Sequence, residues 1–487
     1  MSDLNQKNSK MWRGFGFVLV VAQAITSMML LISLIAMNII SGVLIAVTIG
    51  ILVALFGLSV IKLLMQRRAS VFAKIVCTAI SVICIIGTVV AFRYTDAFNG
   101  FLNKVTNRKE TKAYSVMVME DSGINEINGL ASKNVGFLKI DEKAGNAERY
   151  LGDLIKFTPE FYDDVETLTG VLTGKIVDGI VLESDRLEML KEDAEDSVRN
   201  AKVIYTFEIE LDSLNTEIIE KQVTEEPFIL YISGTDSRRG VKATARSDVN
   251  IVAVVNPKQS KILLVSIPRD TYVQLHGTTG IRDKLTHAGV YGINMSKTTI
   301  EDFLKIKIDY TAKVSFDTVI KVVDQLDGIE IYSDKAMRLR AEGKDKICEY
   351  KVGKQWVDGD CALRFARERK SYERGDKHRG ENQMQVITSI IDKLSSSKNL
   401  VLKLPEILNI AADSFETSLT RDDITAFIRM QLNNGMNWEV ESISIDGVGS
   451  MQGTYSMGAN RPLYVMLAYP ESVEAAKMKI NKYLVNE

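Results

Sequence analysis

Between Gly14 and Ile61 lie 48 consecutive residues without a single Asp, Glu, Lys or Arg. About 20 apolar residues cross a bilayer as a helix. This run is therefore long enough for two crossings, with the polar pair Asn38 and Ser41 marking the turn between them. A second uncharged run, Ile75 to Phe92, predicts a third span of minimal length, extended backwards by Val71 and Phe72. Basic residues gather in the leading tail (Lys7, Lys10, Arg13) and after the second span (Lys62, Arg67, Arg68, Lys74), and none falls in the Asn38 turn. The positive-inside rule then places the amino terminus in the cytoplasm and everything after Arg93 outside the cell membrane. The first apolar segment is too long for a signal peptide and lacks a cleavage site followed by a soluble region.

That orientation excludes several classes of function. An outward-facing region meets neither ATP nor the chromosome, and the net charge of −2 gives no overall attraction to nucleic acid. Three histidines and four scattered cysteines do not make a zinc ribbon or finger. There is no G-x-S-x-G elbow, no phosphate-binding lysine loop and no dinucleotide glycine fingerprint following a strand. Cys77 and Cys84 read as small apolar residues of the third span. Cys348 and Cys361 fall outside, where a disulfide can persist. Paired and free forms both remain open for them, because sequence carries no Cα separation.

Residues 1–13 thus form a tail and 14–93 the three spans. Residues 112–215 read as a small α/β domain, with strands at Ala113–Met119, Asn134–Leu138, Gly179–Leu182 and Val203–Leu211 and helical patterns at Ile124–Leu130 and Val165–Leu172. Its acidic run Glu188–Asp196 has the pattern of a solvated helix face, and no chemistry is assigned to this accessory domain. A polar linker near Asn215–Glu226 leads to Pro227, which opens a second outer domain over 227–487.

The second domain begins with a short apolar strand, Phe228–Ser233, leaving through Gly234, Asp236 and Arg238. Arg246 and Asp248 precede a hairpin, Val249–Val255 and Ile262–Ile267, whose second strand ends in Arg269 and Asp270. Three strand ends in succession therefore release charged pairs, more than a solvated surface requires. A helix near Thr298–Phe303, a strand at Ile308–Val314, a helix at Phe316–Leu326 and a strand at Ile329–Ile331 continue an α/β alternation, with the sheet covered on both faces. A helix beginning near Asp360 then leads into Leu363–Gln383. This stretch carries Arg364, Arg367, Arg369, Arg374 and Arg379, and a long helix follows from about Glu381 to Leu394. Alone, such a run is more often a solvated helix end. Beside the strand-end pairs it suits phosphate, because planar guanidinium groups offer paired donors of fixed geometry.

In this order, GTDSR (234–238), RSDVN (246–250), SIPRDTYV (266–273), DKLTHAGVYG (283–292) and ALRFARERK…GDKHRGENQ (362–383) resemble the signatures of the LytR-CpsA-Psr family. Three spans, an accessory domain and the tail IDGVGSMQGTYSMG (445–458) resemble its capsule-locus CpsA (Wzg-like) branch in Gram-positive bacteria. The resemblance implies an α/β/α sandwich with signature core 228–396 and a hydrophobic groove for a prenyl chain. It also implies a phosphotransferase that moves a glycopolymer, capsular polysaccharide or a related one, from an undecaprenyl-pyrophosphate carrier to peptidoglycan, with other capsule-assembly proteins as further partners. Matched residue by residue, Asp236 and Asp248 would hold Mg2+ or Mn2+. Arg238, Arg246, Arg269, Arg367, Arg369, Arg379, Lys284 and Gln383 would bind pyrophosphate. Asp270 would be a further polar group of the pocket, and Asp376 either orients arginines or acts as a base. Asn382 stands where the family often has arginine, which implies one missing phosphate contact. Arg364 and Arg374 match no family position and read as solvated. A non-catalytic regulator of capsule assembly and a pyrophosphatase acting on the carrier are the competing readings. DNA binding would need more than a short tail and loop.

Overall fold

The structure is a computed structural model that describes residues 2–37, 42–65, 71–106, 110–139, 141, 143–210, 221–235, 241–341, 343–396 and 400–485. Asn38, Ser41, Asp236 and Arg238 lie outside these described residues, as do Arg67, Arg68 and the linker through residue 220. The chain divides into two compact units, one built from Met1–Lys104, Ser397–Ala412 and Thr420–Met436, the other from the remainder.

In the first unit, helices α1 (Ser2–Met37), α2 (Gly42–Val60) and α3 (Val71–Val105) contain three stretches long and apolar enough to cross a membrane, Gly16–Ala36, Gly42–Leu63 and Ile75–Val105. The third runs well beyond Phe92. Charge at Arg93 ends an apolar run but does not break a helix, and no proline intervenes before Val105. Hydroxyls join α1 to α3: Thr88 donates to the Thr26 carbonyl at 2.8 Å and Thr95 to that of Ser33 at 3.3 Å. The helices Leu400–Ala412 and Arg421–Asn434 belong to this unit as well. Thr420 and Asp423 cap the latter reciprocally, and Arg421 donates to Asn99 at 3.0 Å.

The second unit begins with the accessory sheet, β1 (Thr111–Met119), β2 (Asn134–Leu138), β3 (Thr158–Tyr162), β4 (Gly179–Glu183) and β5 (Ala201–Glu210), in the order β3-β2-β4-β1-β5. Helix α4 (Ala144–Leu154) closes one face through Ala147 and Leu151. Helices α5 (Val165–Thr173) and α6 (Ser184–Asp193) close the other through Leu168, Leu172, Leu187 and Leu190. Val290, Met457 and Leu463, from much later in the chain, share that second core. The sequence pattern found four of these strands and α5. It missed α4 and the exposed edge strand β3, and it read Ile124–Leu130 as helical where only a short 3-10 turn, Ile127–Leu130, forms after Gly123 at φ 72°.

The larger sheet contains β6 (Phe228–Thr235), β7 (Val249–Asn256), β8 (Lys261–Ser266), β9 (Tyr310–Ser315), β10 (Phe415–Thr417) and β11 (Glu439–Ser444), ordered β10-β9-β6-β7-β8-β11. Every residue of the central strand β7 is buried, consistent with its Val- and Ile-rich sequence. Ile229, Tyr231, Leu263 and Val265 face a core completed by helices α7 (Ile293–Leu304) and α13 (Pro470–Leu484). Ser266 points to the opposite face. There it meets Gly380 of the helix Gly375–Ser396 (α10), where an added Cβ would sit 2.7 Å from the Ser266 hydroxyl. Helices thus cover both faces of a mixed sheet, as the α/β alternation predicts.

Ahead of α10, helices α8 (Phe316–Gln325) and α9 (Gly359–Ala366) enclose a smaller core with two short strand pairs. Cys348 and Cys361 form a disulfide there, with Cα atoms 5.4 Å apart and a separation of 13 positions in sequence. Closing a loop of that length is worth about 3 kcal/mol. Changing both cysteines to serine should lower unfolding stability by about that amount, and reductant should lower the unmodified protein to the same level. Equal denaturation midpoints with and without reductant would contradict this.

Candidate active site

Because β7 runs antiparallel to β6 and β8, the start of β7 and the ends of its two neighbours meet at one edge of the sheet. That arrangement converges loops far apart in sequence. The Asp248 amide donates to the Gly234 carbonyl at 2.9 Å, the Ser247 amide to Thr286 at 3.1 Å, and the Thr286 amide to Arg269 at 2.9 Å. A buried hydroxyl cluster supports the Arg246–Asp248 loop from below. Ser247 Oγ lies 2.7 Å from Ser233 Oγ and donates to Asn250 Oδ1 at 2.8 Å, and Tyr231 donates to the same oxygen at 2.7 Å. Gly289 presses on this loop from the side. A Cβ there would lie 2.4 Å from the Ala245 carbonyl oxygen, so the motif requires glycine.

Above the edge is a cavity of about 1140 Å3. Arg246, Asp248, Arg269, Arg367, Arg369 and Arg379 all line it, which brings together six of the residues singled out from sequence. Arg269 Nη1 donates to Asp248 Oδ1 at 2.6 Å, and its Nε lies 3.8 Å from Asp270 Oδ2. Asp270 and Lys284 stand behind this wall, their charged atoms 3.4 Å apart. Asp376 lies 2.5 Å from Arg379. Gln383 sits one turn further along α10 and does not line the cavity. Arg367 terminates α9 and places its guanidinium 4.8 Å from the centre of the Phe316 ring.

These neighbours set the charge states. Burial alone would lower Arg269, but the Asp248 and Asp270 carboxylates outweigh it and hold the guanidinium above its ordinary value. Burial pulls Arg379 down, with Arg269 adding repulsion against the attraction of Asp376. Burial also pushes the Asp376 carboxyl up, reinforced by Asp270 and opposed by Arg379, Arg269 and Arg369. Three of the lining arginines, Arg246, Arg269 and Arg379, are thus each set against a carboxylate.

The LytR_cpsA_psr family model matches residues 188–469, more than half of the chain. The chain belongs to this family. It is 34% identical over 229 residues to the polyisoprenyl-teichoic acid–peptidoglycan teichoic acid transferase TagU of Halalkalibacterium halodurans, covering 46% of this chain and 71% of that protein. The TagU of Enterococcus faecalis is 33% identical over 230 residues, 47% and 73% of the two chains. Among solved structures, the crystal structure of B. subtilis TagV covers 53% of this chain and 98% of its own, at 27% identity and a TM-score of 0.45.

Within this LytR_cpsA_psr chain, two sequence expectations need correction, those for Arg364 and for the acidic accessory helix. Arg364 is not solvated: it lines the cavity, pairs with the buried Glu368 at 2.5 Å and donates to the Arg340 carbonyl at 3.1 Å. Arg374 does lie at the surface, paired with Glu381 at 2.8 Å. Asn382 is buried and donates to the Phe365 carbonyl at 3.1 Å, so it ties α9 to α10. The accessory domain also supplies part of the cavity. Ser115, Ser184, Asp185, Glu188, Lys191, Glu192 and Thr206 line it, and Glu192 grips Arg246 through two hydrogen bonds of 2.5 and 2.8 Å. That bond raises Arg246 and lowers Glu192 from their ordinary values. The overlooked signal was the spacing of Asp185, Glu188 and Glu192, three and then four residues apart on one helical face.

A divalent cation at Asp236 and Asp248 is the sequence expectation that remains. Among the described residues no cluster of three or more His, Cys, Asp or Glu is poised to hold a metal, and Asp236 lies outside them. Asp248 is the carboxylate that fits. Its side chain is 17% exposed to the cavity, and its carboxylate oxygens are the ligand type that a hard cation such as Mg2+ or Mn2+ would take.

Proposed function

We propose that this protein is a membrane-bound phosphotransferase. It attaches a glycopolymer, capsular polysaccharide or a related one, from an undecaprenyl-pyrophosphate carrier to peptidoglycan on the outer side of the cell membrane. One observation carries the reading: Arg246, Arg269, Arg367, Arg369 and Arg379 converge on a single cavity around Asp248. A diphosphate is the ligand that such a set of guanidinium groups is shaped to hold. The relatives named as teichoic acid transferases to peptidoglycan support a glycopolymer donor and a wall acceptor. The three apolar helices and the basic residues flanking them support anchoring with the site outside.

In this reading an acceptor hydroxyl attacks the phosphorus that bears the sugar. The bond from that phosphorus to the bridging oxygen breaks, polyprenyl phosphate departs and a phosphodiester forms. Phosphoryl transfer asks the protein mainly to position groups and neutralise charge. Arg379, the most buried of the cationic lining, and Arg269 hold the phosphates in line, and Arg246, Arg367 and Arg369 close the outer side. Asp248, with Asp236, would hold Mg2+ or Mn2+, which supplies further charge neutralisation when bound. Asp376 positions Arg379 at 2.5 Å, and its raised pKa also suits it to take the acceptor's proton.

The full-length protein in detergent, given a polyprenyl-diphosphate-linked oligosaccharide and peptidoglycan, should form a wall-linked phosphodiester at a rate that depends on acceptor. A chelator should lower that rate by at least about tenfold, with recovery on adding Mg2+ or Mn2+. Release of sugar phosphate at an equal rate without acceptor would identify a hydrolase instead, and no turnover of the donor would remove the reading.

A further inference from the structure

The cavity is divided by charge. The larger domain contributes eight basic and two acidic side chains to its lining, whereas the accessory domain contributes Asp185, Glu188 and Glu192 against a single Lys191. Three hydroxyls, those of Ser115, Ser184 and Thr206, complete the accessory side. At about 1140 Å3 the space exceeds the roughly 300–1,000 Å3 of ordinary small-ligand sites, so a diphosphate fills only part of it. What remains is a volume bordered on one side by hydroxyls and carboxylates.

We propose that the accessory domain forms the saccharide subsite of the transfer reaction, receiving the uncharged sugar nearest the diphosphate on Ser115, Ser184, Asp185, Glu188 and Thr206. This inference rests on the transferase reading above. Carboxylates and hydroxyls accept and donate hydrogen bonds to sugar hydroxyls, and hydrogen bonds to a charged group are the stronger ones. The same carboxylates repel phosphate, which keeps the diphosphate on the arginine side and fixes the direction in which the donor lies. Glu192 marks the boundary, since its two bonds to Arg246 join the two linings.

The accessory side is held firmly enough to select. Arg186, on the same helix, is wholly buried and donates to the Ser456 carbonyl at 2.8 Å and to Tyr291 at 3.0 Å, both in the larger domain. The Thr111 amide donates to the Lys242 carbonyl at 2.9 Å, close to the loop that bears Arg246. Ser115 and Ser184 hydroxyls lie 2.9 Å apart, which ties β1 to the start of α6. A wall fixed in this way presents its polar groups in a constant arrangement, the condition for discrimination between sugars.

The test compares two probes on the full-length protein in detergent, farnesyl diphosphate and a farnesyl-diphosphate-linked neutral disaccharide. In a variant carrying Asp185→Asn and Glu188→Gln, affinity for the disaccharide probe should fall roughly tenfold. Affinity for farnesyl diphosphate should change by less than about twofold, because the arginine side is untouched. Ser115→Ala with Thr206→Val, placed on the sheet and not on the helix, should repeat the pattern, and thermal melting of each variant confirms that the fold is kept. Equal losses for both probes, or none for either, would overturn the saccharide subsite and leave the transferase reading standing. Failure of the unmodified protein to bind farnesyl diphosphate at all would overturn both.

Discussion

Replacing Arg269 by alanine should lower glycan transfer at least about a hundredfold while leaving the fold standing. Arg269 is the residue on which the site's charges balance. It bonds Asp248 at 2.6 Å, approaches Asp270 at 3.8 Å, and is 22% exposed to the cavity. Without it the two carboxylates lose their shared countercharge and would repel the incoming diphosphate, and a preorganised donor disappears as well. Removing one such donor commonly costs a factor of 10² to 10³ in turnover. Stability should suffer little, because Asp248 retains access to water through the cavity. Arg269→Lys should recover only part of the rate, since an ammonium restores charge without the planar fork. Initial rates of wall attachment, with melting temperatures alongside, decide the matter. A rate for Arg269→Ala within about threefold of normal would remove Arg269 from the machinery.

The second large effect is on stability. Arg186→Ala should destabilise the second unit by about 3–5 kcal/mol, the usual result of stranding one partner of a buried ion pair. Arg186 and Glu183 are both buried, with Nε and Oε2 2.8 Å apart, and Lys112 bridges Glu183 to Asp141. Burial alone would raise Glu183, but Arg186 and Lys112 outweigh it and hold it at about 2. A carboxylate depressed in the folded state adds stability above its ordinary pKa and loses it as pH falls toward the depressed value. The unmodified protein should therefore weaken as pH drops from about 4.5 toward 2, and Glu183→Gln should flatten that dependence. Denaturant unfolding at pH 7 and at pH 4 measures both. Arg186→Ala unfolding at the unmodified midpoint would show that the pair contributes nothing.

Much of this molecule was legible because its signals are local. The uncharged runs form helices long and apolar enough to cross a membrane, and Val- and Ile-rich segments such as β7 form buried strands. The charged pairs at the strand ends carried the site, and chain reversal in the hairpin explains why Asp248 and Arg269 meet. What stayed hidden depended on tertiary placement. The face bearing Asp185, Glu188 and Glu192 has the same periodicity whether it meets water or a cavity, so its pattern alone favoured water. Arg364 read as solvent-facing because its partner Glu368 is internal only once α9 has packed. The bond from the Asn382 amide to a backbone carbonyl is one that no motif records. The pairing of Cys348 with Cys361 needed a distance, which spacing does not supply.

The apolar layer that Leu168, Leu187 and Leu190 share with Val290, Met457 and Leu463 bears on how the second unit can be divided. Cutting the chain at the linker after β5 would not separate two self-sufficient modules. Each fragment would carry half of a greasy seam into water, and both would tend to clump or be digested. A shortened version worth purifying therefore keeps the accessory sheet and the larger sheet in one chain. Hydrogen exchange in it should show the two sheets losing protection together.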